Sequence, residues 1–221
     1  MAAKPTITAF AASPDEGQGL ARDMRVRWAL EEVGQAYDVR LVSFEEMKQP
    51  AYRALQPFGQ IPAYTEGDLT LFESGAICLH LAETRPGLLP ADEGARARAI
   101  TWLFAALNTV EPPVVEREQA EFIEGASWLS ELNREIEPRI CKRFGDLSAY
   151  LDESEWLEGE FMVGDLMMIM VLRRSEGMGI LEYFPNLCRY VARGMARPAY
   201  QRAFAAQHAV FAAVQKETSD A

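Results

Sequence analysis

The chain has few of the residues that staple or metallate a fold. Its three cysteines, Cys78, Cys141 and Cys188, are odd in number and widely spaced, which supplies neither a disulfide framework nor a zinc pattern. Two isolated histidines, His80 and His208, do not make a metal site, so no metal is expected. No apolar run approaches the length that spans a bilayer, and residues 1–14 lack a basic region followed by a long apolar core. Neither an anchor nor a secretory leader is expected, and a reducing, cytoplasmic setting fits. Positive charge is also scarce: 22 Lys and Arg stand against 33 Asp and Glu, a net charge of −11. Such a surface repels phosphate backbones and anionic lipids, which argues against nucleic-acid and membrane partners. What the chain does have is an ordinary globular composition, 49% apolar and 25% charged over 221 residues, enough to bury a core without external support.

Read along the chain, Thr6 to Phe10 is a short β-rich run that stops at a cluster of turn residues from Ser13 to Gly17. Leu20, Met24, Trp28, Leu30 and Val33 then recur at helical spacing, with Gly34 placed to terminate the helix. Tyr37 to Val42 alternates as a second strand, and a weakly helical stretch follows from Glu45 to Leu55. Gly67-Asp68 divides two further β-rich runs, which predicts a hairpin. A helix is expected from Ser74 to Thr84, stopped by Arg85-Pro86-Gly87. Beyond it only helical patterns occur: Ala95 to Val110, ended or kinked by Pro112-Pro113, then Ser127 to Tyr150, Asp165 to Arg174 and Leu187 to Ala206. The Glu-rich stretch between Glu116 and Glu137, interleaved with Phe122, Ile123 and Trp128, reads as a solvated helix face. Residues 1–85 therefore form an α/β domain, 86–94 a linker, and 95–221 an all-helical domain.

Two motifs carry chemistry. In Gln56-Pro57-Phe58-Gly59-Gln60-Ile61-Pro62, a proline in a turn before a strand is where a cis bond is tolerated. Such a bond leaves the backbone N–H and C=O of Ile61 facing outward, where an extended peptide can pair as an added strand. Glu73-Ser74 precedes a helix, so Ser74 can be its N-cap, a role that does not exclude an anion site at the helix start, with Glu73 available for an ammonium group.

Together with Val26-Arg27-Trp28-Ala29-Leu30-Glu31-Glu32-Val33-Gly34, these motifs closely resemble the glutathione-binding half of cytosolic glutathione transferases. The resemblance implies an α/β thioredoxin-like N-terminal domain joined to an all-α C-terminal helical domain, usually as a homodimer. It implies that Ile61 and Pro62 bind the peptide backbone, that Glu73 and Ser74 hold the γ-glutamyl end, and that Gln60 lies near the glycyl carboxylate. The implied work is to ionise the thiol of glutathione, the co-substrate. At an unperturbed pKa near ~8.5 only about 3% is thiolate at pH 7, and lowering the value by about two units takes roughly 2.7 kcal/mol. Members that use a tyrosine carry it where this chain has Phe10, and the following loop has no cysteine. Ser13, followed by Pro14, resembles the hydroxyl of serine-type and Thr-Pro bacterial members and is the candidate activator. A turn-forming role for Ser13, with Arg22 or a backbone N–H facing the thiol instead, is the alternative. The expected activity is conjugation of glutathione to a small hydrophobic electrophile, or reduction of a disulfide or peroxide. The competing expectations are a noncatalytic binding or regulatory protein and a dimerisation module without ligand.

Overall fold

The structure, a computed structural model, describes residues 4–121 and 128–219. Phe122 and Ile123 of the Glu-rich stretch, and the expected helix start at Ser127, lie outside the described residues. Contacts divide the chain into two compact units, Met1–Leu88 with Arg197–Ala221, and Leu89–Ala196.

The first unit is built on a four-stranded sheet in the order β2-β1-β3-β4. Strand β1 (Thr6–Phe10) is buried at Ile7, Thr8 and Ala9 and pairs in parallel with β2 (Asp38–Val42) through the crossover helix α1 (Asp23–Glu32). Parallel strands need such a crossover, and α1 supplies it. Its end is a Schellman motif: Gly34 takes φ +65°, its N–H reaches Glu31 O at 3.3 Å, and the Gln35 N–H reaches Leu30 O at 2.9 Å. The start comes three residues later than apolar spacing alone places it. The N–H groups of Leu20 and Ala21 are held by the Asp15 carboxylate, at 2.6 and 3.0 Å, so those residues belong to the loop.

The weakly helical stretch resolves into α2 (Phe44–Met47), capped by the Ser43 hydroxyl, and α3 (Pro50–Arg53). Pro50 has no N–H to continue α2 and pre-sets the first residue of α3. Strands β3 (Ala63–Glu66) and β4 (Leu69–Phe72) form the expected hairpin, with Gly67 at φ +60° in the two-residue turn. Helix α4 (Ser74–Thr84) completes the α/β layer.

In the second unit, α5 (Glu93–Ala105) does not end before the prolines. It passes through a π-turn, Ala106–Val110, into α6 (Glu111–Glu121). Pro112 and Pro113 cannot donate to the carbonyls four residues back, and the ladder widens so that the Glu111 N–H bonds to Ala106 O. Helix α7 (Leu129–Leu151) follows, then α8 (Val163–Leu172), every residue of which is buried. Asp165 ties the start of α8 to its surroundings, accepting from the Met162 N–H (2.9 Å), the Leu157 N–H (2.9 Å) and the Tyr190 hydroxyl (2.8 Å). At Gly164 a Cβ would sit 2.7 Å from Trp102 Cβ and 2.9 Å from the Ala99 carbonyl oxygen. Since both belong to α5 and neither is the end of a flexible side chain, Gly164→Ala is expected to cost about 1–3 kcal/mol by overpacking. Urea unfolding measures the loss.

The expected single helix from Leu187 to Ala206 is two: α9 (Pro185–Met195) and α10 (Pro198–Ser219). Pro198 disfavours helical geometry at Arg197 and supplies the first residue of a new helix. Sequence order groups α10 with the helical domain, whereas its contacts are with α1 of the first unit. Arg197 pairs with Glu32 and Arg202 with Glu31, and Tyr200 meets Trp28 edge-on with ring centroids 5.0 Å apart.

Candidate functional site

The loop before β3 is held by a chain of side-chain hydrogen bonds. Buried Gln56 accepts from the Gln60 N–H through Oε1 at 3.1 Å, and the Tyr52 hydroxyl donates to the Gln60 carbonyl at 2.7 Å. Because Tyr52 has spent its proton, the 2.9 Å contact with Thr8 runs from the Thr8 hydroxyl to the Tyr52 oxygen. Thr8 Oγ1 in turn accepts from the Ala63 N–H at 2.8 Å. Burial raises the Tyr52 phenol above its ordinary value, which keeps it protonated as this chain requires. Ile61 lies between these pinned residues, its side chain packed with Val42, Met47 and Tyr52. The Ile61–Pro62 bond is cis. Among the described residues, no protein group hydrogen-bonds the backbone of Ile61. The Gln60 side chain is exposed.

At the start of α4, Glu73 rather than Ser74 is the N-cap, so the capping role open to Ser74 is not the one it takes. Glu73 holds φ +70°, ψ +114°, a conformation L-residues seldom adopt, and its side chain is exposed and makes no cap bond. Such outliers cluster at ligand clamps. Ser74 is the first helical residue and is buried; its hydroxyl accepts from Arg25 Nη1 at 3.4 Å. Arg25, 1% exposed, therefore brings a guanidinium to the helix end that already favours anions. Sequence reasoning missed it. It lies inside the α1 pattern next to Met24, and only the packing of α1 against α4 brings it to Ser74.

Ser13 is held in the loop between β1 and α1. Its hydroxyl donates to Asp15 Oδ1, which also takes the Gly17 N–H at 3.2 Å, while Oδ2 takes Leu20 and Ala21. One carboxylate thus organises the whole loop. Ala21, at its far end, packs against the cluster that contains Ile61. Next to Ser13 a small chamber of about 10 Å³ is lined by Asp23, Arg27 and Gln207, with Phe211 of α10 closing it. Phe211 presses on Gly17, where a Cβ would come within 2.8 Å of its ring, so glycine is required by space as well as by its φ of +77°. Asp23 pairs with Arg27 Nε at 2.7 Å and accepts from Gln207 Nε2 at 2.9 Å. Burial raises the Asp23 carboxyl, with Arg27 pulling the other way.

Cys78 sits beneath, its Sγ 3.5 Å from the Arg25 carbonyl, and burial pushes its thiol up to about 12. Burial therefore keeps this thiol protonated and unreactive near neutral pH. Iodoacetamide applied to the native protein, read by mass spectrometry, is expected to leave Cys78 unmodified until the fold is opened by denaturant. Among the described residues no group of three or more His, Cys, Asp or Glu is placed to hold a metal, and no helix is long and apolar enough to cross a membrane.

A mixed four-stranded sheet in the order β2-β1-β3-β4 with a cis-proline before β3, in a chain that continues as helices, defines a thioredoxin-like domain followed by a helical domain. Residues 17–83 match the family described as glutathione S-transferase, N-terminal domain. The chain is 32% identical to glutathione S-transferase F9 of Arabidopsis thaliana over 155 residues, 66% of this chain and 72% of that one. It is 30% identical to glutathione S-transferase 3 of Zea mays over 198 residues, 83% and 88% of the two chains. Among solved structures, a Burkholderia graminis glutathione transferase with two glutathione molecules bound per subunit is 26% identical, covers 91% and 87% of the two chains, and superposes with a TM-score of 0.77. The chain belongs to the cytosolic glutathione transferase family.

Proposed function

We propose that this protein binds reduced glutathione, ionises its thiol and directs the sulfur at a small hydrophobic electrophile, or at a disulfide or peroxide. The observation that carries the reading is the unpaired backbone of Ile61 beside the strained, exposed Glu73 and the anion-favouring start of α4. The cysteinyl residue of glutathione pairs with Ile61 as an added strand. The γ-glutamyl carboxylate meets Ser74 and the first N–H groups of α4, with Arg25 adding charge, and its ammonium meets Glu73. Gln60 offers the glycyl carboxylate a neutral hydrogen bond. Ser13 is the hydroxyl assigned to the sulfur. Kinship with glutathione transferases supports glutathione as the ligand, a homodimer as the working form, and a cytoplasmic setting.

Titration calorimetry with reduced glutathione tests binding, and a turnover panel of aromatic halides, peroxides and mixed disulfides tests catalysis. Heat of binding with no turnover on any substrate leaves the noncatalytic binding protein as the function, and no heat at all removes the ligand.

A further inference from the structure

The Ser13 hydroxyl has one proton, and the structure commits it to Asp15. A hydroxyl stabilises a thiolate only by donating to it. In this arrangement a sulfur placed against Ser13 would meet only lone pairs, because the hydroxyl proton is bonded to the Asp15 carboxylate. From this geometry, and resting on the glutathione reading above, we infer that Asp15 is a positioning residue that restrains thiol activation by turning the Ser13 hydroxyl away from the sulfur.

The loop shows why the restraint is stable. Asp15 Oδ1 is shared by Ser13 and the Gly17 N–H, and Oδ2 by the Leu20 and Ala21 N–H groups. All four donors point at one carboxylate, so turning the Ser13 hydroxyl away gives up one of the two hydrogen bonds to Oδ1. The loop cannot drift either, because Gly17 is wedged against Phe211. An asparagine at this place reverses the bond to Ser13 and gives up the 3.2 Å bond from the Gly17 N–H. With its oxygen kept on Leu20 and Ala21, its amide N–H faces Ser13, whose oxygen then accepts and whose proton becomes available to the sulfur. Ionisation itself is unchanged in balance: the S–H bond breaks, its proton goes to solvent, and the Ser13 O–H bond stays intact while it reorients.

The test follows the ultraviolet absorbance of the bound glutathione thiolate against pH in the wild type, Asp15→Asn, Ser13→Ala and the double variant. Asp15→Asn is expected to raise the thiolate fraction at pH 7 about tenfold, a shift of about one pKa unit, and the gain should vanish in the Ser13→Ala background. Asp15→Ser, which caps the loop with a neutral hydroxyl, should move the thiol in the same direction. An equal gain with and without Ser13 would mean that charge alone acts and would overturn the inference, as would no gain or a loss. Calorimetry on the same variants separates the two levels: if reduced glutathione binds none of them, the wild type included, the functional reading fails. If it binds all of them and the thiol does not respond to Asp15, only the inference fails.

Discussion

Replacing Asp23 by alanine is expected to destabilise the protein by about 3–5 kcal/mol, the cost of leaving one member of a buried ion pair without its partner. Asp23 and Arg27 are each 2% exposed at the side chain, one helical turn apart. Arg27 Nη2 already has no hydrogen-bond partner, nor does Gln207 Oε1, a neutral amide oxygen that can accept but supplies no charge to replace Asp23. Gln207 would also lose the carboxylate through which α10 is tied to the start of α1. Exposed pairs on the same two helices, such as Glu31 with Arg202, should cost less than about 1 kcal/mol when broken. Removing both charges, as in Asp23→Leu with Arg27→Met, should recover most of the loss, because apolar replacement of a whole buried pair is often close to neutral. Urea unfolding of the three variants decides it. A loss under about 1 kcal/mol for Asp23→Ala would mean that water reaches the pair.

Glutathione affinity and stability should move in opposite directions at Glu73. A non-glycine residue at φ +70° costs of order 1–3 kcal/mol that the rest of the fold must offset. Glu73→Gly is therefore expected to stabilise the free protein, by about 1 kcal/mol after the added chain entropy of glycine is subtracted. The same change removes the carboxylate proposed to hold the ligand ammonium and should weaken reduced glutathione about 10–100-fold, as for loss of one charge-assisted contact. Glu73→Gln keeps the strain and should lose affinity without gaining stability. A glutathione analogue lacking the α-amino group should bind the wild type and both variants alike. If it too discriminates between them, Glu73 acts through the shape of the helix start rather than through the ammonium.

Local rules reach the parts of the fold that are made locally. The β3–β4 hairpin follows from Gly67-Asp68, the end of α1 from Gly34, and the open edge at Ile61 from a proline just before a strand. Other features depend on partners distant in the chain. Arg25 is an ordinary helix residue until α4 brings Ser74 to it, 49 positions away. The pairing of α10 with α1 spans 184 residues at Gln207 and Asp23, and no periodicity reports it. Asp15 falls between these cases. Ser-Pro-Asp is recognisable as turn chemistry, yet the same carboxylate taking the Ser13 proton and two N–H groups five and six residues on needs the loop in three dimensions. The residue proposed for the sulfur was legible, and the one that governs its proton was not.

A crystal structure of the protein with reduced glutathione tests the central claim most directly. The cysteinyl N–H and C=O should lie within about 3 Å of the Ile61 carbonyl and amide, with the γ-glutamyl carboxylate on Ser74 and the ammonium on Glu73. Glutathione ordered elsewhere in the molecule, while Ile61 keeps its backbone unpaired, would contradict it.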